Sequence, residues 1–179
     1  MIKTQLIAHD KEVFDVAFSP KSSETFVSVG ADGSLRLFDV RSLDHSTIIY
    51  ETPDAKPLLK VAWNPNDPNY LATFSADSRS VIVMDVRMPS VPAADLSDHD
   101  SSVLCMRWAP HSSSHMISGD EDGLRLWNLQ STTTSPTWSL SSQKITGMDD
   151  SSIQQLVWPS TSPDWLACST NECVYTLQI

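Results

Sequence analysis

The sequence predicts an all-β chain of about four propeller blades, and three observations carry that prediction. A hydrophobic–x–aromatic–x–Pro phrase recurs as Val16-Ala17-Phe18-Ser19-Pro20, Val61-Ala62-Trp63-Asn64-Pro65 and Met106-Arg107-Trp108-Ala109-Pro110, with a looser copy at Leu156-Val157-Trp158-Pro159. The anchor aromatics stand 45, 45 and 50 residues apart. Each interval holds four short strand-like runs and no helix-length amphipathic segment, the signature of a repeated four-stranded blade. The alternative is a β-sandwich with evenly spaced strands, which has no reason to repeat side chains in register.

The elements follow the same order in every copy. The anchor run comes first, then a second run such as Phe26-Val27-Ser28-Val29 or Tyr70-Leu71-Ala72-Thr73-Phe74. An acidic turn follows, Ala31-Asp32-Gly33 or Ala76-Asp77-Ser78, and Asp-Gly between two runs signals a hairpin because the turn needs positive φ. The third run alternates apolar and polar residues, as in Leu35-Arg36-Leu37-Phe38-Asp39, Val81-Ile82-Val83-Met84-Asp85 and Leu124-Arg125-Leu126-Trp127-Asn128. The fourth run is weaker, at Thr47–Tyr50, Val91–Leu96 and Thr137–Leu140. The expected division is one repeat region over 1–179. Within it, 1–8 is a strand of a preceding blade (about Lys3–Ile7), 9–50 is blade one, 51–96 blade two, 97–140 blade three and 141–179 an incomplete last blade. Sixteen strands are expected.

Composition narrows the function. The 179 residues carry 12 Lys and Arg against 22 Asp and Glu, a net charge of −10. A protein that holds nucleic acid by its phosphates needs a basic face, so direct nucleic-acid binding is not expected. Basic protein partners suit the charge. No run of about 18 apolar residues is present to span a membrane as a helix. Three cysteines without a CxxC point to a reducing compartment and to no disulfide framework. The expected setting is cytoplasmic and nuclear.

No GxSxG, HExxH or phosphate-loop motif is present, so no enzyme, catalytic residue or cofactor is expected. His111 and His115 lie four apart in a Ser-rich turn without a Cys or carboxylate at zinc spacing, and no metal is expected there. The clusters Asp95, Asp98, Asp100 and Asp120, Glu121, Asp122 read as solvated turns. Ser19-Pro20, Ser135-Pro136 and Ser162-Pro163 read either as strand-ending prolines or as proline-directed phosphorylation sites.

The third-strand endings Phe38-Asp39, Met84-Asp85 and Trp127-Asn128 resemble the WD-repeat superfamily. That resemblance implies a hydrogen-bonded His–Ser/Thr–Asp–Trp chain in each blade, a structural device that occupies both nitrogens of a buried imidazole. Blade one offers His9, Ser28, Asp32 and Phe38, and Phe38 cannot donate. Blade three offers His99, Ser118, Asp122 and Trp127, in a turn one residue short, so that Glu121 competes with Asp122. Blade two has Asp54, Thr73, Asp77 and Met84; blade four has Asp149, Ala167, Asn171 and Leu177.

Longer phrases are more specific. Thr4-Gln5-Leu6-Ile7-Ala8-His9-Asp10-Lys11-Glu12-Val13, His45-Ser46-Thr47-Ile48-Ile49-Tyr50-Glu51 and Asp67-Pro68-Asn69-Tyr70-Leu71-Ala72-Thr73 resemble the anthocyanin-regulator, transparent-testa-glabra and cullin-ligase-associated-factor family. Trp108-Ala109-Pro110-His111-Ser112-Ser113 and Pro163-Asp164-Trp165 extend the likeness to the end, whereas 131–147 reads as a variable loop around a weak strand. The resemblance implies a seven-bladed propeller of about twice this length, of which this chain resembles the C-terminal half. It implies a non-enzymatic scaffold for transcription regulators of the MYB and basic helix-loop-helix classes or for dual-specificity kinases. It also implies a second role, as substrate receptor of a cullin-RING ligase. In such receptors a Trp-Asp-x-Arg phrase contacts the ligase's propeller adaptor. Asp39-Val40-Arg41 and Asp85-Val86-Arg87 are partial matches, and blade three has Asn128-Leu129-Gln130 instead. Two readings of Arg41 and Arg87 stand side by side, contact with the adaptor or local pairing with Asp39 and Asp85. An open arc would also leave strand edges and a blade face for self-association.

Overall fold

A computed structural model describes residues 5–131, 138–145 and 152–179. Among them are fifteen strands in four antiparallel sheets. Blade one is β1 (Val13–Phe18), β2 (Thr25–Gly30), β3 (Ser34–Asp39) and β4 (Ser42–Glu51). Blade two is β5 (Leu58–Trp63), β6 (Tyr70–Ser75), β7 (Val81–Asp85) and β8 (Pro92–Leu96). Blade three is β9 (Cys105–Trp108), β10 (His115–Gly119), β11 (Leu124–Ser131) and β12 (Trp138–Ile145). Blade four has three strands, β13 (Gln155–Val157), β14 (Trp165–Ser169) and β15 (Val174–Gln178). Each sheet is a simple meander, and the first strands β1, β5, β9 and β13 adjoin in turn. The chain is therefore an arc of propeller blades around one side of an axis.

The core lies in the joints between blades, because each sheet is apolar on both faces. Val27, Val29 and Leu35 of blade one pack on Leu58, Val61, Leu71 and Met84 of blade two. Ala72, Phe74, Val81 and Val83 of blade two pack on Met106, Trp108, Met116 and Trp127 of blade three. Ile117 and Leu124 of blade three pack on Leu156, Leu166 and Cys168 of blade four. Period-two alternation places successive residues of one strand in successive joints: Leu71 faces blade one and Ala72 faces blade three. Polar links tie the joints together. Val61 N–H donates to Asp15 at 3.1 Å, Trp108 Nε1 to the Ala62 carbonyl at 3.0 Å, and Asn64 Nδ2 to the Ser113 carbonyl at 2.8 Å.

The β2–β3 turn shows why Asp-Gly is there. Gly33 has φ +78°, and a Cβ at that position would collide with Thr52 Oγ1 and lie 2.8 Å from the Lys56 carbonyl. Blade two makes the corresponding turn with Asp77 at φ 56°.

Three expectations need correction. Residues 5–8 form no strand, and the rest of the 1–8 segment lies outside the described residues. Blade three does not end at 140: β12 runs to Ile145 and pairs with all of β11, from Leu124↔Ile145 to Ser131↔Trp138. The supposed weak strand is thus an eight-residue partner. Its polar sequence hides it, since Ser139, Leu140 and Ser141 lie exposed at the outer edge, where apolar patterning is not needed. The third is Asp122, which does not hold His99.

Candidate protein-interaction site

An antiparallel meander sends its β1–β2 and β3–β4 turns to one end and its β2–β3 turns to the other. The candidate residues therefore divide between two opposite ends of the arc.

At the end that carries the β2–β3 turns, two histidines are buried in their blades. In blade three, His99 Nε2 lies 2.6 Å from Ser118 Oγ, and Trp127 Nε1 donates to the same oxygen at 2.7 Å. Indole only donates, so Ser118 accepts from Trp127 and gives its own proton to His99 Nε2. His99 Nδ1–H then donates to a carboxylate at 2.8 Å. That carboxylate is Asp120, not Asp122. The turn is one residue shorter than in blade one, which draws the acid back to two positions after Ser118; the Asp122 amide merely donates to Asp120 at 2.9 Å. In blade one, Ser28 meets His9 Nε2 at 2.7 Å, and His9 Nδ1 faces Asp32 and Ser34, each at 3.0 Å. Phe38 offers no donor and instead stacks on Phe26 at 5.0 Å. The longer turn adds Ser34, which donates to Asp32 at 2.8 Å and accepts from Arg36 Nε at 3.0 Å. Burial raises the Asp32 carboxyl, but hydrogen bonds from Ser34, His9 and the Asp10 amide outweigh it and hold it at about 2. Blade three lacks that serine, and Arg125 Nε is left buried without a partner.

Blade two keeps no such chain: Thr73 donates to the Lys60 carbonyl at 2.8 Å instead. In blade four, Leu177 joins the apolar joint and Asp149 lies outside the described residues.

This arrangement yields a pH prediction. Burial pushes the His99 pKa below its ordinary 6.5, and charging Nε2 would also turn the Ser118 proton away from its acceptor. The unfolded chain therefore binds a proton at higher pH than the folded one. Stability is unaffected by His99 well above pH 6.5 and falls as pH drops through 6.5 toward the lowered folded value, by at most about 1.4 kcal/mol per pH unit. Urea unfolding from pH 8 to 5 should show this fall. His99→Gln should be less stable at pH 8 and should show a flatter profile.

At the opposite end sit the two arginines, each held by the acid two residues before it. Arg41 Nε and Nη2 donate to Asp39 at 2.9 and 2.5 Å, and its amide donates to Asp39 at 2.9 Å. Arg41 Nη1 pairs with Glu24 at 3.1 Å. Hydrogen bonds from Arg41 hold the Asp39 carboxyl down at about 2. Arg87 Nε and Nη2 donate to Asp85 at 2.9 and 2.6 Å, and Nη2 also reaches Tyr70 Oη at 3.3 Å. The Arg87 side-chain bonds likewise hold Asp85 below its ordinary value.

The two sites differ in what remains for a partner. All three guanidinium nitrogens of Arg41 are engaged. Arg87 keeps Nη1 without a contact among the described residues, while Asp85 is buried and fixes its orientation. Arg87 also lies over the Tyr70 ring, 5.8 Å from its centroid. Tyr70 meets Trp138 edge-on at 4.9 Å, and both line a groove of about 500 Å³ with Asp67, Ser113, Ser114, Leu129 and Gln130. An oriented cation at the rim of an aromatic groove suits a protein surface that presents a carboxylate beside an apolar group. Sequence reasoning found both arginines but not Tyr70, Trp138 or Glu24, because these come from other strands and from the β1–β2 turn.

The remaining chemistry is structural. His115 Nδ1 contacts Ser112 and Ser114, and His111 meets the Trp158 ring. No group of three metal-ligating side chains occurs among the described residues. Cys105 and Cys168 are buried, and burial pushes the Cys105 thiol up to about 12. No helix among the described residues is long and apolar enough to cross a membrane.

Comparison with known proteins agrees with the blade repeats. The family model "WD domain, G-beta repeat" matches residues 2–39 and 90–128, which hold the two buried histidine chains. The chain is 50% identical over 179 residues to a Dictyostelium discoideum protein named DDB1- and CUL4-associated factor 7 homolog, covering 99% of this chain and 53% of that protein. It is 47% identical over 148 residues to a WD repeat-containing protein of Saccharomyces cerevisiae, covering 73% of this chain and 28% of that one. An uncharacterized WD repeat-containing protein of Schizosaccharomyces pombe is 43% identical over 178 residues, covering 89% of this chain and 41% of that one. The chain thus spans about half the length, or less, of these relatives.

Proposed function

Starting from a WD-repeat interaction module related to the DDB1- and CUL4-associated factor 7 homolog, we propose that this chain is the adaptor-binding part of a cullin-RING ligase substrate receptor. The observation that carries the proposal is the Arg87 guanidinium. It is fixed by Asp85, carries an open Nη1, and stands beside the groove floored by Tyr70 and Trp138. The partner is DDB1, which the relative's name associates with that protein. Arg87 engages it directly, and Arg41, saturated by Asp39 and Glu24, shapes the neighbouring rim. The fold does no chemistry in this role; it presents a rigid surface.

Co-purification with DDB1 tests the reading. The wild-type chain is expected to retain DDB1, and Arg41→Glu with Arg87→Glu to lose it. Retention by the double variant would remove this surface from the account.

A scaffold role for basic partners is supported by the net charge of −10. Transcription regulators or dual-specificity kinases fit that chemistry. If their binding survives the double substitution while DDB1 binding is lost, the two surfaces are separate.

A further inference from the structure

Every blade closes its third strand with the same backbone bond. The residue after Asp39, Asp85, Asn128 or Gln178 donates its amide to the carbonyl of the residue just before the second strand. The pairs are Val40 to Glu24 at 2.8 Å, Val86 to Asn69 at 2.9 Å, Leu129 to Ser114 at 2.7 Å and Ile179 to Asp164 at 3.0 Å. In blades one and two the donor immediately precedes the arginine, so the backbone of Glu24 or Asn69 is fixed next to that of Arg41 or Arg87. The turn leading there is also shared: the Glu24 amide donates to Ser22 Oγ at 3.2 Å and the Asn69 amide to Asp67 Oδ1 at 3.0 Å. Only the side chains differ. Glu24 reaches Arg41 Nη1 at 3.1 Å. Asn69 carries no charge, and its Nδ2 donates to Asp67 at 2.8 Å instead. One position on, Thr25 meets Ser22 in blade one, whereas Tyr70 places its ring against Arg87 in blade two. All of these contacts form within a single blade.

We propose, resting on the adaptor reading of Arg87, that the residue immediately before the second strand decides whether an Asp-x-Arg arginine is open to a partner. An acid there, as at Glu24, takes Nη1 and repels an incoming carboxylate. An amide, as at Asn69, leaves Nη1 free and adds no charge, while Asp85 still fixes the rest of the fork. Asn69 is therefore a specificity-determining residue that acts through Arg87 and need touch no partner itself. It makes the two Asp-Val-Arg phrases unequal although their local sequence is the same. An exposed ion pair contributes little to stability, so exchanging these side chains leaves the blade folded.

Moving the blade-one turn into blade two tests this. Asp67→Ser with Asn69→Glu is compared with Asp67→Ser with Asn69→Gln, which has the same size and no charge. Hydrogen exchange followed by NMR on the chain alone reads the arginine directly. The Arg87 Nη1 protons should be protected in the Glu variant, as those of Arg41 are in the wild type, and should exchange fast in the Gln variant. Glu24→Gln should release the Arg41 Nη1 protons to fast exchange. In calorimetric titration, DDB1 should bind the Glu variant at least about tenfold more weakly than the Gln variant. Equal Arg87 exchange in the two variants would overturn the proposal. So would equal DDB1 affinity of the two variants where Arg87→Gln alone loses DDB1. If Arg87→Gln binds DDB1 as the wild type does, the adaptor reading falls by itself, and the exchange rates still decide which residue controls Nη1.

Discussion

Ser118→Ala is expected to destabilise the chain by about 2 to 4 kcal/mol, roughly twice the cost of Ser28→Ala in blade one. The difference follows from the number of buried nitrogens each hydroxyl serves. Ser118 Oγ accepts from Trp127 Nε1 at 2.7 Å and serves His99 Nε2 at 2.6 Å. Its removal leaves both without a partner in a site closed to water, at about 1 to 2 kcal/mol each, the lower part of the usual range for an orphaned group. Ser28 serves His9 Nε2 alone, because Phe38 has no N–H to satisfy. Trp127→Phe should lie between them, since it removes a donor while keeping an aromatic ring in the joint. Urea midpoints of the three variants at pH 8 give the order. Equal losses for Ser118→Ala and Ser28→Ala would mean that the Trp127 bond adds nothing.

Trp108→Ala should cost more, about 3 to 5 kcal/mol, because it empties the centre of the joint between blades two and three. The indole is 5% exposed and packs with Phe74, Val83 and Met116. Its Nε1 also donates across the joint to the Ala62 carbonyl at 3.0 Å, which the substitution leaves without that donor. Trp158 is the matched control. It occupies the same repeat position in blade four but is only partly buried, and its Nε1 donates within its own loop to the Pro163 carbonyl at 2.8 Å. Trp158→Ala should lose less than half as much. Urea unfolding followed by circular dichroism reads both, and similar losses would contradict the view that stability resides in the joints.

The repeat made most of this fold legible. Phe18, Trp63 and Trp108 recur because the same joint position recurs, and the Asp-Gly turn recurs because Gly33 must take positive φ against Thr52 and Lys56. What escaped the sequence lies where local pattern and tertiary requirement part. The strand Trp138–Ile145 is polar because it is an outer edge held by backbone pairing, so its sequence carries no strong alternation. Asp120 replaced Asp122 because a one-residue deletion in a turn changes which side chain reaches inward, and only the backbone path shows which. Arg41 and Arg87 look equivalent in sequence. Their difference comes from Glu24 on a neighbouring turn and Tyr70 on a neighbouring strand, which no motif spacing records.

That difference is also where the functional account is most exposed. Calorimetric titration of DDB1 into the wild-type chain, Arg41→Gln and Arg87→Gln tests it most directly. The account predicts at least tenfold weaker binding for Arg87→Gln, which loses the oriented Nη1 donor, and less than about threefold for Arg41→Gln. Equal affinity for all three chains, or a greater loss at Arg41 than at Arg87, would contradict it.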